Sequence, residues 1–383
     1  MLKRAIEDKI EEYLQGEDYK TFYIWGPRRS GKTTLLQQLS QKLGVRVFNF
    51  DLSSDHSLFV PDRDTLEKLT TKNKVILIDE IQSYPQATVV LKILYDEFKV
   101  KVIATGSSEL RQKGKEFDSQ AGRYTEHYCL PLSIREIKAN TPLLAYEEDA
   151  FERKLLETLQ IFGSYPEVYV SKTLAEEEKI ELLGNIVDAY VLKDVVDIYK
   201  LKDLKLAKDI LTKIALQLGS EVSIREIASS LGSNGATVAN YIEIFIKNYI
   251  LIPLPSFKTN IRRAVSEHRK LYFYDLGIRN ALVKDFRETK LRPDKGGLFE
   301  NFIILEIEKQ RKNTKALRNF YFYREYGGKE VDLIIEDYYK NYTAIEIKTT
   351  KGDQRDVFPL PNTSDIVTNQ NYFEKIANVL EGK

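Results

Sequence analysis

The chain has 383 residues, with 58 Lys+Arg against 57 Asp+Glu and a formal net charge of +1. That length is enough for two or three domains. So even a charge balance excludes a global basic field and leaves any nucleic-acid contact to local patches. Cys129 is the single cysteine, which excludes an internal disulfide. Met1–Glu12 is charged and amphipathic rather than apolar like a secretion signal, and no uncharged apolar run approaches the ~18 residues of a membrane span. A cytoplasmic location with no membrane partner is expected.

Residues 1–20 place Leu2, Ile6, Ile10, Tyr13 and Leu14 on one helical face. Thr21–Trp25 (TFYIW) reads as a strand and runs into Gly26–Thr34, GPRRSGKTT. Two glycines five apart followed by Lys-Thr is the spacing of a phosphate-binding loop. Gly26 and Gly31 let the backbone close round a phosphate chain with its amides turned inward. Lys32 reaches the β- and γ-phosphates, and Thr33 offers its hydroxyl to Mg²⁺. Gly26, Pro27, Arg28, Arg29, Ser30, Gly31, Lys32, Thr33 and Thr34 are therefore the expected ATP-binding residues. Leu35–Leu43 has helical spacing, which sets the phosphates at a helix N-terminus.

Further strands are expected at Val45–Leu52, Lys74–Gln82, Val100–Ser108 and His127–Ser133. Helices are expected at Asp62–Thr70 and Gln86–Phe98. Such alternation predicts a parallel sheet covered on both faces. The third strand ends in Asp79-Glu80. Behind a phosphate loop, this acidic pair places Asp79 on the Mg²⁺ shell beside Thr33 and makes Glu80 the general base for the attacking water. A hydroxyl of Thr105 or Ser107 orients that water if their strand lies between those carrying Asp79 and Lys32. The plainer alternative is a polar turn. Arg123 either projects into a neighbouring subunit's nucleotide in a homo-oligomer or forms a sheet-edge salt bridge.

GPRRSGKTT, VILIDEIQ, ATGSS and AGRY followed by LPLS resemble the bacterial and archaeal AAA+ ATPases fused to a domain of unknown function. FGSYPEVY and the later FE…EVD…EIK pattern extend the likeness over nearly the whole chain. The resemblance implies a five-stranded AAA core, ATP as ligand, and the roles already given to Lys32, Thr33, Asp79 and Glu80.

Residues 134–204 read as helical, with FGSYPEVY as a turn and packing contact. VSIREIASSLG, SNGATVANYIEIFIKN and YILIPLPSF then give two helices and a strand, the pattern of a winged helix. It would turn Asn234, Thr237 and Asn240 to DNA and set Lys258, Arg262, Arg263, Arg269 and Lys270 on phosphates. Alternatively it only packs between its neighbours. In the last third, a helix carries Glu300, a hairpin round Gly-Gly carries Asp332, and AIEIKTT carries Glu346 and Lys348 on one strand face. This resembles the PD-(D/E)xK nuclease fold. Asp332, Glu346 and Glu300 would hold Mg²⁺ or Mn²⁺, and Lys348 would activate water. The alternative is an acid–lysine pair kept for folding.

The expected fold class is α/β. The expected domains are a P-loop AAA+ parallel-sheet core (1–135), a helical lid (136–204), a winged helix (205–275) and a nuclease-like α/β domain (276–383). The expected function is Mg-dependent ATP hydrolysis coupled to DNA binding or processing, with metal-dependent DNA cleavage left open. The alternatives are a DNA-branch remodelling motor without cleavage, and a nucleotide-dependent switch that binds a protein partner.

Overall fold

A computed structural model describes residues 2–106, 121–171, 174–194, 203–258, 269–325, 327–350 and 357–380. The chain forms two compact units, Met1–Leu130 and Pro131–Lys383. Among the described residues, no helix is long and apolar enough to cross a membrane.

The first unit is built on a five-stranded sheet of order β2-β3-β4-β1-β5. Its strands are β1 (Thr21–Trp25), β2 (Val47–Asn49), β3 (Val75–Asp79), β4 (Lys101–Gly106) and β5 (Tyr124–Tyr128), all parallel to their neighbours. β1 and β4 are buried along their whole length, as apolar strands covered on both faces must be. Ile6, with Ile10 and Tyr13 of the N-terminal helix (Glu7–Gln15), packs with Phe22, Ile24, Leu36 and Ile103. Lys101 opens β4 and is buried. Its ammonium donates to the carbonyls of Tyr13, Gly16 and Asp18, each at 2.7 Å. A cation there satisfies the orphan acceptors at the helix C-terminus and suits its dipole.

β5 begins three residues before the expected His127 and stops at Tyr128, not Ser133. Pro131 has no amide to offer a ladder. Ser133 instead caps the helix Ile134–Ala139 in a capping box with Glu136.

The second unit opens with helices at Ile134–Ala139, Glu148–Phe162, Pro166–Val170 and Glu176–Ile186. Leu204–Leu216, Ile224–Ser230 and Gly235–Lys247 follow, then an antiparallel pair, β6 (Leu251–Pro255) and β7 (Arg269–Phe273). Phe162, Leu183, Ile214, Ile242, Phe245 and Phe273 belong to one apolar core, so these helices and the pair fold as a body. The helix Leu276–Val283 ties that body together with buried polar groups. Asp275 caps it, accepting from Ile278 N at 3.1 Å, and also accepts from Ser164 N at 2.7 Å. Asn280 donates to the carbonyls of Gln160 and Ile161, both at 2.8 Å, at the end of Glu148–Phe162. This accounts for the FGSYPEVY phrase. Gly163 turns at φ +70, and a Cβ there would lie 2.0 Å from Asp275 Oδ1.

The helix Lys295–Thr314 leads into a four-stranded sheet, order β11-β10-β9-β8. β8 (Asn319–Arg324), β9 (Glu330–Glu336) and β10 (Tyr342–Ile347) pair antiparallel, and β11 (Asn362–Val367) is parallel to β10. Asn301 fixes the long helix to β7: it accepts from Phe273 N at 2.8 Å and donates to Phe273 O at 2.9 Å.

Candidate functional site

The parallel register of the first sheet brings the C-terminal ends of β1, β3 and β4 to one edge. β1 ends at Trp25, and Gly26 passes directly against Cys129. A Cβ on Gly26 would lie 2.0 Å from the Cys129 carbonyl oxygen, so only glycine fits. Arg29 (φ 60) and Gly31 (φ 97) adopt the left-handed conformation, which curls main-chain amides towards an anion. The helix Lys32–Leu43 starts at once, and Gly31 gives it no side-chain cap. Its first amides are thus oriented for a phosphate.

Lys32 is buried and donates to the carbonyls of Gly26 and Pro27 at 2.9 and 2.8 Å. Burial holds its ammonium below the ordinary lysine value, against the pull of Glu80. Arg4, which the sequence did not single out, braces the loop from behind. It is buried and donates to Ser30 O at 2.7 Å and Leu130 O at 2.6 Å. Only its apolar neighbours carried a helical signal.

Asp79 is the hub of the site. It is 4% exposed. Oδ2 accepts from the Thr33 hydroxyl at 2.8 Å, and Oδ1 accepts from the Thr105 hydroxyl and from Glu80 N. A hydroxyl beside a carboxylate is the hard-oxygen set that suits Mg²⁺. Thr105 differs from expectation, because it is fully buried and its hydroxyl is committed to Asp79 rather than open to a water. Ser107 lies outside the described residues. Glu80 follows in left-handed backbone, φ 54, which is uncommon for a non-glycine residue. Its carboxylate meets the Gln82 amide. Arg28 is half-buried, while Arg29, Thr33 and Thr34 are exposed. Arg123 sits at the other end of the sheet: its carbonyl accepts from Thr21 N at 2.9 Å, and its guanidinium pairs with Asp96 at 2.8 Å.

A second constellation lies within the Pro131–Lys383 unit. Along β7, Leu271 and Phe273 enter the apolar core, so Lys270 and Tyr272 face the other way. Both meet Glu300: Lys270 Nζ is 2.9 Å from Oε1, and the Tyr272 hydroxyl donates to it at 2.5 Å. Lys270 also pairs with Glu330. The ligand oxygens of Glu300, Glu330 and Asp332 lie within 4.8 Å of one another. Asp332 accepts from Ile347 N at 2.7 Å. Lys348 Nζ is 2.8 Å from Glu346 Oε2 and 3.7 Å from Asp332 Oδ2. Burial, then Glu300, pushes the Asp332 carboxyl up to about 7. Glu346 is buried, and its Oε1 meets no hydrogen-bond partner among the described residues.

The convergent set is thus Glu300, Glu330 and Asp332, while Glu346, expected on the same metal as Asp332, lies outside it and pairs with Lys348. The signal for Glu330 was its place two residues before Asp332 on the same strand face. Lys270 departs from the expected phosphate contact: it is 1% exposed and committed to acids. Arg269 pairs with Glu243 at 2.7 Å, and Arg262 and Arg263 lie outside the described residues. Asn234 caps the helix Gly235–Lys247 and is exposed, as is Asn240, while Thr237 is half-buried.

Residues 18–138 match the family model described as an AAA domain. Over that third of the chain, the sequence is similar to AAA domains. Two families described as domains of unknown function match residues 153–289 and 295–359, behind the AAA domain. An uncharacterized protein of Haemophilus influenzae is 24% identical over 323 residues, 79% of this chain and 78% of that protein. An uncharacterized protein of Methanocaldococcus jannaschii is 25% identical over 311 residues, 72% of this chain and 65% of that protein. Among solved structures, the Aeropyrum pernix ORC1 protein in complex with DNA aligns over 74% of this chain and 93% of its own at 16% identity, with a TM-score of 0.31. A superposition that loose decides nothing about function.

Proposed function

We propose that the chain hydrolyses MgATP and couples the nucleotide cycle to DNA held by its C-terminal half. The observation that carries the ATPase reading is the Thr33–Asp79–Thr105 hub beside a phosphate loop with Lys32 at its helix start. Loop amides from Gly26 to Thr34 and the Lys32 ammonium bind the triphosphate. Thr33 and Asp79 would hold Mg²⁺, which neutralises phosphate charge when bound. Glu80 takes a proton from the attacking water, while Arg123, paired with Asp96 at the opposite end of the sheet, fits the salt-bridge alternative. In this reading residues 1–135 are the core, 136–204 a lid, 205–275 a winged helix and 276–383 a nuclease-like domain.

The DNA reading is supported by the helix–turn–helix and strand pair at 204–273, with Asn234 and Asn240 exposed. A cleft of about 660 Å³ that includes Thr349 and Thr350, next to Lys348, carries Arg153, Lys290 and Lys295 together with Asp149, Glu152 and Glu157, so its charges balance and it adds no basic track. Glu300, Asp332 and Glu346, with Lys348, are the residues for metal-dependent cleavage. Lys270 among the acids favours a second reading, in which the domain binds DNA without cutting it.

The test is ATPase rate with and without duplex, single-stranded and branched DNA, alongside cleavage assays in Mg²⁺ and Mn²⁺. Lys32→Ala lowers hydrolysis ~100-fold or more. Cleavage lost in Asp332→Ala and Lys348→Ala but kept in Lys32→Ala establishes a nuclease under separable ATP control. DNA stimulation without cleavage establishes the motor. No response to any DNA rejects the DNA reading and leaves a switch for a protein partner.

A further inference from the structure

The carboxylates of Glu300, Glu330 and Asp332 converge closely enough to share one cation, and hard oxygen ligands of this kind suit a divalent ion. A cation of the chain's own is already among them. Lys270 Nζ stands 2.9 Å from Glu300 Oε1, also meets Glu330, and is buried with 1% of its side chain exposed. The placement is built rather than accidental. Tyr272 donates to the same Glu300 oxygen, Asn301 fixes the long helix to β7, and Arg324 holds Glu330 from outside at 2.7 Å. A divalent ion on the same oxygens would lie within a few ångströms of a buried ammonium, a like-charge contact that a site of low dielectric does not tolerate. The two cations exclude each other. Glu346 is a further buried acid beside the cluster: continuing the Ile345–Leu333 pairing sets it opposite Asp332, Lys348 pairs with its Oε2 at 2.8 Å, and its buried Oε1 has no hydrogen-bond partner among the described residues.

We infer that Lys270 is the resident cation of this carboxylate site, and that a divalent ion binds at Glu300, Glu330 and Asp332 only when the Lys270 ammonium is withdrawn. The inference rests on the nuclease-like reading only for the choice of a divalent ion. It makes β7, which belongs to the helical body, the element that keeps the C-terminal acids metal-free.

The experiment titrates Mn²⁺ into the nucleotide-free full-length chain, counting free Mn²⁺ by electron paramagnetic resonance. With Lys270 intact, Asp332→Asn leaves the Mn²⁺ isotherm unchanged within two-fold. Lys270→Met gains one Mn²⁺ site at least ten-fold tighter than any the wild type shows outside the phosphate loop, and adding Asp332→Asn removes it. The inference is overturned if Asp332→Asn or Glu330→Gln lowers Mn²⁺ binding while Lys270 is present, or if folded Lys270→Met gains no site. Should Lys270→Met fail to fold without metal, refolding by Mn²⁺ supports the inference. Without such rescue, Lys270→Gln is read by the same two criteria, and the wild-type comparison stands alone as a test. Cleavage is scored separately: a gained Mn²⁺ site without DNA cutting removes the nuclease reading and leaves the cation exchange standing.

Discussion

Asp275 is a carboxylate enclosed by the fold, with Ser164 N, Ile278 N and the charged Lys309–Glu306 pair as its polar surroundings. Burial outweighs those amides and pushes its pKa from 3.8 up to about 6. The folded chain therefore holds this proton more tightly than the unfolded chain does. The resulting stabilisation is whole below about pH 4 and lost as pH rises through 6. Relative to Asp275→Asn, wild-type stability should fall by about 2 kcal/mol between pH 4 and 7. Urea unfolding of both proteins across that range checks it, and a constant difference would contradict the burial account. Single residues were unequally legible. Lys32, Thr33 and Asp79 belong to a local pattern whose spacing fixes their placing. Lys270 looked like one more basic residue in a basic stretch, because nothing in the sequence tells a lysine facing solvent from one facing a partner 30 residues away.

At the scale of elements, the phosphate loop depends on what stands behind it. Arg4 supplies donors to two buried carbonyls, and a buried acceptor stripped of its donor costs ~1–3 kcal/mol. Arg4→Met should raise the KM for ATP ~10-fold with a smaller change in kcat, since it loosens the cradle and leaves Asp79 and Glu80 in place. Steady-state kinetics separate this from general destabilisation, which would lower the active fraction at constant KM. Gly26→Ala drives a methyl into main chain, not into a side chain that could yield. It should lower affinity for a fluorescent ATP analogue at least 10-fold, with an unchanged far-ultraviolet spectrum. The buried parallel strands were legible because a strand covered on both faces must be apolar throughout. β5 was misplaced because Cys129, Leu130 and Leu132 extend the apolar run past the point where Pro131 ends the pairing.

Across the whole molecule, the order of elements was legible, while the contacts that join them were not. The α/β alternation of the first unit and the late cluster of strands both follow from hydrophobic period. The buried polar tie of Asp275 and Asn280 is invisible to it, since such residues read as surface. A phosphate loop and a carboxylate cluster in one chain make coupling between them the property to measure under the proposed function. Branched DNA should change the ATPase rate of the intact chain at least two-fold, and loss of that response in Asn234→Ala/Asn240→Ala would place the contact on the helix Gly235–Lys247. The chain also carries its own probe. Trp25 is the sole tryptophan, its indole donates to Glu126 on β5 at 3.0 Å, and its ring lies against Gly106 where β4 ends. Emission from this one fluorophore, one residue from the loop, should report nucleotide arrival in unlabelled protein, millisecond by millisecond.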